Sequence, residues 1–445
     1  MTADNVTIDG GGHALVGNGS GTAVTAAGVD EFTLTNVTLV DWAAGVSLRD
    51  VSDARVSEIA VENASAVGVA VEDDARDVRL AGSSIRNGSL GVRVRGDASD
   101  VTVAETAFAD LTGVGVDLRG DEGRVLNSTF ETTGGAAVHV RGDGALVANN
   151  SVRDTVGGIA VTDAAAVTVR ANTLDEVQGP SIHVAGAGDV EMPRIRPSPG
   201  FHGVDVVLHP MLPAGMAGMA DMAYGGGPDG VDDGGTTTRR YVDVTMLSPT
   251  PPDPVRVVDN VVRDSNGNGI VAANTSAVTV TANHVERSRD GVRIAGGSDA
   301  TVANNTAVLN RDDGITIAAS ADATLRNNTV RNNTDDGLYV VGDGAVITGT
   351  LARDNGDDGV DVQNSTLAAV RGNRLVRNDD DGLYLRFVLN GSVEANVIRL
   401  NGDDGVDLRA VTGTVVANNS VCWNDHHELV RRDGTSNTTV TNSVC

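Results

Sequence analysis

The chain has 445 residues, of which 21% are charged and only 2% are aromatic, and its formal net charge is −27. So few aromatic side chains are atypical of a globular core of this size, and the 55 glycines lack the three-residue period of collagen. The acidic balance leaves no basic patch for releasing phosphate counterions, which argues against a nucleic-acid partner. No apolar run approaches the roughly 20 residues of a membrane span.

The charged residues are unusual in kind. All 33 basic residues are arginine, and aspartate outnumbers glutamate 48 to 12. This composition is similar to that of proteins from extremely halophilic archaea, in which molar salt shortens the Debye length to about 3 Å and screens self-repulsion. Fifteen Asn-x-Ser/Thr sequons favour an exported protein at the cell surface or beyond it. A cytosolic location stays an alternative.

Along the chain, a Gly-aliphatic-x-aliphatic motif returns every 21 to 24 residues, most often 23, when degenerate copies are included. Alternating Val, Ile and Leu between Asn, Asp and Gly turns predict short strands, so each repeat is one coil of a solenoid. The clear copies begin at Gly45, Gly68, Gly91, Gly115, Gly158, Gly269, Gly291, Gly314, Gly337, Gly359, Gly382 and Gly405.

Two columns of asparagine set the register, because asparagine tolerates left-handed turns and its amide can hydrogen-bond from coil to coil. The fold class predicted is all-β: a right-handed single-stranded parallel β-helix of about 16 coils and, at about 4.8 Å per coil, roughly 75 Å in length. The first column is Asn127, Asn150, Asn172, Asn260, Asn283, Asn305, Asn328, Asn373, Asn396, Asn419 and Asn442, and the second is Asn310, Asn333, Asn355, Asn378, Asn401 and Asn424.

The period disappears between about residues 188 and 254. All eleven prolines lie between Pro180 and Pro254, and six of seven methionines lie between Met192 and Met246. Proline cannot donate to a strand ladder, so this stretch cannot consist of regular coils. We therefore divide the chain into an N-terminal half of the β-helix (1–187), an irregular insertion (188–254) and a C-terminal half (255–445).

The repeat Asn-x-aliphatic-x-x-Asn-x-x-x-Gly-aliphatic, as in Asn373 to Leu383, resembles the parallel β-helix repeats of the NosD-like family. The opening residues from Ala3 to His13 also look like the start of such domains, which are grouped as carbohydrate-binding and sugar-hydrolysis modules. Family members include surface proteins, sugar-processing enzymes and a periplasmic protein linked to copper-site maturation. The resemblance implies the scaffold and leaves these functions open.

Five successive coils carry a pair of aspartates before the turn glycine. Carboxylates one coil apart repel by roughly 1 kcal/mol per pair in water, and Arg311, Arg331, Arg353, Arg377 and Arg399 supply only one positive charge per coil. Bound cations would compensate, with Ca²⁺ favoured by all-oxygen coordination; a solvated acidic turn is the alternative. The pairs are Asp312 and Asp313, Asp335 and Asp336, Asp357 and Asp358, Asp380 and Asp381, and Asp403 and Asp404.

The variable position of the Gly-aliphatic-x-aliphatic motif should face away from the core, since side chains alternate along a strand. In this column Tyr339, Asp361, Tyr384 and Asp407 follow one another beside the aspartate turns. Two exposed tyrosines alternating with carboxylates could stack against sugar rings, so these four residues are candidate polysaccharide ligands. Ordinary surface tyrosines are the alternative.

Two other functions stay open. An enzyme acting on uronic-acid polymers, as lyase, epimerase or hydrolase, is indicated only by Asp425-His-His-Glu428, which is similar to the Asp-Pro-His-Glu of uronan epimerases. A copper-handling protein is indicated by thioethers in the insertion, since soft sulfur ligands select Cu(I). Its candidate ligands are His202, His209, Met211, Met216, Met219 and Met222.

The only two cysteines, Cys422 and Cys445, are one coil apart in matching Asn-Ser-Val-Cys contexts. Stacked positions lie about 4.8 Å apart, within the usual Cα separation of a disulfide. We predict a bridge with both sulfurs outside the core; the alternatives are a reduced pair or a metal site with His426 and His427. The sequence as a whole favours an exported, salt-adapted β-helix that binds polysaccharide, divalent cations or both along one face without catalysis.

Overall fold

The computed structural model describes residues 3–186 and 254–445, which fold into strands and turns without a helix. Each strand pairs in parallel with the equivalent strand one coil away, as Val292 does with Ile270 and with Ile315. The predicted right-handed parallel β-helix of about 16 coils is confirmed. None of the described segments is a helix of the length and hydropathy that crossing a membrane requires.

In chain order the strands are β1 (Thr7–Asp9), β2 (Ala14–Val16), β3 (Thr22–Asp30), β4 (Thr33–Val40), β5 (Ala44–Ser52), β6 (Arg55–Glu62), β7 (Val67–Glu72), β8 (Arg79–Ala81), β9 (Ser84–Arg86), β10 (Val92–Val94), β11 (Thr102–Ala104), β12 (Ala107–Leu111), β13 (Val116–Leu118), β14 (Arg124–Leu126), β15 (Thr129–Thr133), β16 (Ala136–Val140), β17 (Leu146–Ala148), β18 (Ser151–Arg153), β19 (Gly157–Thr162), β20 (Thr168–Arg170), β21 (Thr173–Asp175), β22 (Ile182–Ala185), β23 (Arg256–Val258), β24 (Val261–Arg263), β25 (Ile270–Ala273), β26 (Thr279–Thr281), β27 (His284–Glu286), β28 (Val292–Ala295), β29 (Thr301–Ala303), β30 (Thr306–Val308), β31 (Ile315–Ala318), β32 (Thr324–Arg326), β33 (Thr329–Arg331), β34 (Leu338–Val341), β35 (Val346–Thr348), β36 (Leu351–Arg353), β37 (Val360–Thr366), β38 (Ala369–Arg371), β39 (Arg374–Val376), β40 (Leu383–Leu389), β41 (Ser392–Glu394), β42 (Val397–Arg399), β43 (Val406–Arg409), β44 (Val415–Cys422), β45 (Val430–Arg432) and β46 (Thr439–Val444).

The strands form two sheets that run the length of the solenoid. One contains sixteen strands, one per coil, from β3 to β45; the other contains thirty, because most coils contribute two short strands to it. Strand β22 pairs directly with β25, so Ile182 lies beside Ile270 although 87 residues separate them. The regions before and after the insertion are therefore continuous in both sheets, and the insertion itself falls outside the described residues.

The core is a set of aliphatic columns. The two aliphatic residues of each motif point inward, and Val292, Ile294, Ile315 and Ile317 are fully buried. Aromatic packing is local: the rings of Phe108 and Phe130 stack one coil apart, 4.7 Å between centroids. Narrow coils are filled by Val, Ile, Leu and Ala, which explains how the described residues form a packed core with so few aromatic side chains.

The asparagine columns are buried chains of amide hydrogen bonds. Nδ2 of Asn172 donates to Oδ1 of Asn260 at 3.0 Å, directly across the insertion, and Nδ2 of Asn260 donates to Oδ1 of Asn283 at 3.0 Å. The second column ends on a carboxylate, since Nδ2 of Asn424 donates to Oε2 of Glu428 at 2.6 Å. Each link satisfies amide groups that would otherwise be costly to bury.

Two details of the asparagine prediction are wrong. The left-handed residue is the one before each stacked asparagine, such as Asn149 (φ 58°) before Asn150, so the column selects asparagine for its amide and not for its backbone. Asn127 is itself such a left-handed, exposed residue. Its neighbour Ser128 occupies the column and donates its backbone N–H to Oδ1 of Asn150 at 2.9 Å.

Cys422 and Cys445 form a disulfide with 5.0 Å between their Cα atoms. Cys422 is fully buried and Cys445 is exposed, so the expectation that both sulfurs lie outside is wrong for Cys422. The bridge closes a 23-residue loop, which contributes about 3 kcal/mol by the chain-entropy estimate. It ties the coil that ends at Cys445 to the coil before it.

Replacing one stacked asparagine should destabilise the whole solenoid. Asn283→Ala removes the side-chain acceptor of the Asn260 backbone N–H and the side-chain donor to the Val257 carbonyl. Nδ2 of Asn260 and Oδ1 of Asn305 each lose one hydrogen bond but keep another, to the Val169 carbonyl and from the backbone N–H of residue 283. At about 1–3 kcal/mol for each unpaired buried group, we expect a loss of about 2–6 kcal/mol in the free energy of unfolding. Denaturant unfolding measures it; Asn266→Ala, at an exposed asparagine without a side-chain hydrogen bond, should change little, and equal effects would contradict the prediction.

Candidate cation-binding site

The five aspartate pairs lie at one corner of successive coils, immediately before the chain enters the sixteen-stranded sheet. Asp335 and Asp336, for example, precede Gly337 and β34. A Cβ atom at Gly337 would lie 2.5 Å from the carbonyl oxygen of Gly359 and 2.8 Å from Nδ2 of Asn355. Only glycine fits beside the second asparagine column and the next coil, and this close packing holds each pair at the same corner.

The second aspartates of the pairs form an inner row, which consists of Asp313, Asp336, Asp358, Asp381 and Asp404. Their exposed fractions are between 0% and 8%. Each carboxylate accepts a hydrogen bond from the backbone of the following coil: the N–H of Asp336 donates to Asp313 Oδ1 at 3.2 Å, and that of Asp381 to Asp358 Oδ1 at 2.8 Å. The inner row is thus a buried column of carboxyl groups oriented by backbone donors.

The first aspartates form an outer row, which consists of Asp312, Asp335, Asp357, Asp380 and Asp403 and lies nearer the solvent. Carboxylate oxygens of both aspartates of one coil and the outer aspartate of the next lie within 4.8 Å of one another. This arrangement repeats four times along the corner, and such acidic clusters could hold a metal ion. The four groups are Asp312, Asp313 and Asp335; Asp335, Asp336 and Asp357; Asp357, Asp358 and Asp380; and Asp380, Asp381 and Asp403.

The arginines that could neutralise these rows point elsewhere. Arg377 and Arg353 both contact Asp354, with nitrogen to oxygen distances of 2.8 and 3.6 Å. The guanidinium of Arg399 lies over the ring of Trp423, 5.6 Å from its centroid. One positive charge per coil is present, as the sequence indicated, but these arginines contact residues of the neighbouring surface and not the aspartate rows.

Ion pairs reach only the two ends of the rows. Asp312 lies 3.4 Å from Arg289 at the first coil, and Asp404 lies 2.6 Å from Arg432 at the last. Among the residues that the structure describes, the seven aspartates from Asp313 to Asp381 have no positively charged group within ion-pair distance. The middle of the corner therefore carries uncompensated negative charge.

Burial of these carboxyl groups raises their pKa values. The pKa of Asp313 is raised to about 7, that of Asp336 to about 9 and that of Asp381 to about 8, and the pKa of Asp358 lies well above its usual range. Burial is the largest cause in each, and the neighbouring carboxylates of the rows add to it. At neutral pH Asp336, Asp358 and Asp381 must therefore keep protons or bind cations.

The last coil has histidines where the five preceding coils have the aspartate pair. His427 follows Asp404 by 23 residues, its N–H donates to Asp404 Oδ1 at 3.0 Å, and its Nδ1 lies 2.8 Å from the same oxygen. Nδ1 of His426 contacts Oδ1 of Asp403. His426 and His427 were not predicted as the end of the rows, although the 23-residue spacing was the available signal.

The candidate polysaccharide ligands occupy one column of the sixteen-stranded sheet, in the register Tyr339, Asp361, Tyr384, Asp407. Both tyrosines are half-buried, but Asp361 and Asp407 are 5% and 0% exposed, so the expectation of four exposed residues is wrong for the carboxylates. Each lies beside a tyrosine in the column, and Arg409 covers Asp407 with an Nε to Oδ2 distance of 2.8 Å.

The column and the aspartate rows are coupled electrostatically. Burial raises the pKa of Asp361 to about 7, with contributions from neighbouring carboxylates that include Asp357 and Asp313. Oδ2 of Asp361 accepts a hydrogen bond from Nε2 of Gln363 at 2.6 Å, whereas Oδ1 is buried without a hydrogen-bond partner. This unpaired oxygen adds a further acceptor beside the acidic corner.

The proposed copper ligands from His202 to Met222 lie outside the described residues.

Residues 4–191, 253–347 and 313–445 match the model of the right-handed β-helix region, and the chain belongs to this family. No curated protein sequence matches the chain.

Solved structures that are similar to this chain match it at low identity. The periplasmic alginate epimerase AlgG is 14% identical with a TM-score of 0.48, over 78% of this chain and 77% of that one. The A-module of the mannuronan C-5 epimerase AlgE6 from Azotobacter vinelandii is 11% identical with a TM-score of 0.30, over 96% and 91% of the two chains. The catalytic unit of a GH87 α-1,3-glucanase from Streptomyces thermodiastaticus is 13% identical with a TM-score of 0.35, over 97% and 64%.

The raised pKa values predict that the metal-free protein loses stability as the pH rises. A carboxyl group whose pKa is higher in the folded than in the unfolded chain binds more protons when folded, so stability falls between its two pKa values. For Asp313, Asp336 and Asp381 this window extends from about pH 4 to about pH 9. Melting temperatures after chelation, at constant high NaCl, should decrease from pH 5 to pH 9.

The double variant Asp336→Asn with Asp381→Asn removes two of the titrating groups and should flatten this decrease. A melting temperature of the unaltered protein that is constant or rises over the same pH range would contradict the prediction.

Proposed function

We propose that the protein is an exported, salt-adapted β-helix that binds a row of divalent cations along its acidic corner and holds polysaccharide on the adjacent sheet face without chemically changing it. The observation that carries the proposal is the fourfold repeated group of three carboxylates whose central members have no positively charged partner. Because burial of unpaired charge is costly, a buried inner row favours bound cations over a solvated acidic turn whenever its carboxyl groups are ionised.

Calcium suits these groups best. It takes about six to eight oxygen ligands at roughly 2.3–2.6 Å, so two oxygens on one ion lie at most about 5 Å apart. The carboxylate oxygens of each group lie within 4.8 Å of one another. Three carboxylates from two coils would supply part of the coordination, and water would complete it on the solvent side. Neighbouring groups share an outer aspartate, so adjacent ions would be bridged along the corner.

Calcium should stabilise the native protein, and the aspartate rows should be responsible. A ligand that binds only the folded state contributes about 2.7 kcal/mol at 100 times its Kd. Asp336→Asn with Asp358→Asn should reduce the calcium-induced rise in melting temperature and the number of ions bound by calorimetry. The same variant should be at least as stable as the unaltered protein without metal, because a neutral amide resembles the protonated carboxyl.

Asp379→Asn is the matched control, since Asp379 is exposed beside the rows and belongs to none of the four groups. Calcium stoichiometry should be unchanged in this variant. No effect of calcium on the melting temperature of the unaltered protein, at constant ionic strength, would leave the acidic corner as a solvated surface.

Polysaccharide would contact the tyrosine column. Tyr339 and Tyr384 are two coils apart, about 10 Å along the sheet, and the guanidinium of Arg409 lies 5.1 Å from the Tyr384 ring centroid. Half-buried rings held in this way present an edge and part of a face to a sugar at little cost in side-chain entropy. The polymer would then run beside the cations, which could bridge its acidic groups to the aspartate rows.

Removing the rings should weaken polysaccharide binding and leave the fold intact. We expect Tyr339→Ala with Tyr384→Ala to bind glycan at least about tenfold more weakly on an array at molar salt. The Phe double variant, which keeps both rings, should bind nearly normally. Unchanged melting temperature shows that the fold is preserved. Equal binding by the Ala and Phe variants would exclude the column, and release of new sugar ends during incubation would contradict the non-catalytic role.

A further inference from the structure

A second polar cluster lies on the same face of the sixteen-stranded sheet, in the N-terminal half. Arg93, Asp117 and His139 are directly paired neighbours on β10, β13 and β16. Arg119 and Arg141 follow β13 and β16, two positions beyond Asp117 and His139 in consecutive coils. These residues share no local motif in the sequence and come together only through the stacking of coils.

Asp117 orients the guanidinium groups. Its side chain is buried, with Oδ2 accepting from Nε of Arg119 at 3.1 Å, while Oδ1 lies 3.6 Å from Nη1 of Arg141 and 3.8 Å from Nδ1 of His139. Oδ1 has no hydrogen-bond partner. The side chains of Arg119 and Arg141 are 42% and 36% exposed, so both guanidinium groups contact the buried carboxylate and stay partly accessible to solvent.

Positive charge exceeds negative charge in this cluster. Arg93 contacts Glu72 at 2.6 Å, and Glu72 also contacts Arg49 at 3.1 Å. The ion-paired set therefore contains four guanidinium groups and two carboxylates, a local excess of two positive charges in a chain of net charge −27. The arrangement mirrors the acidic corner: like charges one coil apart, with too few opposite charges to balance them.

His139 completes the cluster as a neutral group. Its burial lowers its pKa, and the nearby charge of Arg141 lowers it further. Nε2 of His139 lies 2.8 Å from Oγ1 of Thr162. A neutral imidazole offers hydrogen bonds but has no charge of its own. The excess positive charge of the arginines is therefore available to an external anion.

We propose that Arg119 and Arg141, oriented by Asp117 and supported by Arg93, bind an oxyanion borne by an acidic glycan. Planar guanidinium groups present paired N–H donors that match carboxylate or sulfate oxygens. The column from His139 to Tyr339 rises by six coils, about 29 Å, and the positions between them are Ala160, His183, Val271, Arg293 and Thr316. One extended polymer could therefore contact both regions, although oxyanion binding does not depend on the cations.

Three polymers of one backbone test this site: dextran, carboxymethyl dextran and dextran sulfate. Binding is measured with the full chain after chelation, so that bridging cations cannot contribute, and at molar NaCl, where long-range attraction is screened. We expect carboxymethyl dextran, dextran sulfate or both to bind at least tenfold more tightly than dextran, and the difference between the two identifies the oxyanion. Equal binding of all three would overturn the proposal.

Arg119→Gln with Arg141→Gln should abolish this preference for charged polymers. Arg170→Gln is the control, because Arg170 is an exposed arginine on the other sheet. A similar loss in both would show that general charge, and not the cluster, determines binding. Arg141→Gln alone tests the site if the double variant does not fold, since Arg141 makes no side-chain hydrogen bond within the described chain. Calcium binding should be unchanged in all of these variants.

Discussion

Parallel stacking of coils places every side chain about 4.8 Å from the side chain at the same position of the next coil. A contact between two residues of the same type is therefore repeated at every coil of a column, whether it is favourable or unfavourable. Aliphatic columns such as Ile294 and Ile317 gain contact at every step, and asparagine columns gain two hydrogen bonds at most steps. A charged column accumulates repulsion instead, and the structure must compensate for it with every added coil.

The aspartate rows and the arginine cluster are two places where the described chain accepts this repulsion. At the acidic corner, backbone N–H groups orient the inner carboxylates, but only the ends of the rows have ionic partners. In the arginine cluster, the single carboxylate of Asp117 serves two guanidinium groups. Protonation or a bound group of opposite charge relieves such repulsion, and under the two proposals the opposite signs of the regions would select different external groups.

The sequence predicted those features that a single column determines. The 23-residue period was sufficient for the coil count, the second asparagine column and the position of the aspartate pairs beside Gly337 and its equivalents. It could not show the burial of Asp361, which depends on neighbours in the coils on either side, or that of Cys422, which depends on how the last coil closes. Asn127 was placed one residue out of register because coils of 22 and 23 residues alternate without a visible marker.

The second asparagine column has a polarity. From Asn310 to Asn401 each amide N–H points to the carbonyl oxygen of the next coil, in the same direction along the axis. Aligned amide dipoles add, as peptide dipoles do in an α-helix, and leave partial positive charge at the end where the final N–H is donated. At that end Asn424 donates to the carboxylate of Glu428. The solenoid thus has an electrical direction as well as a geometric one, and a carboxylate terminates it as an acidic side chain terminates the N-terminus of a helix.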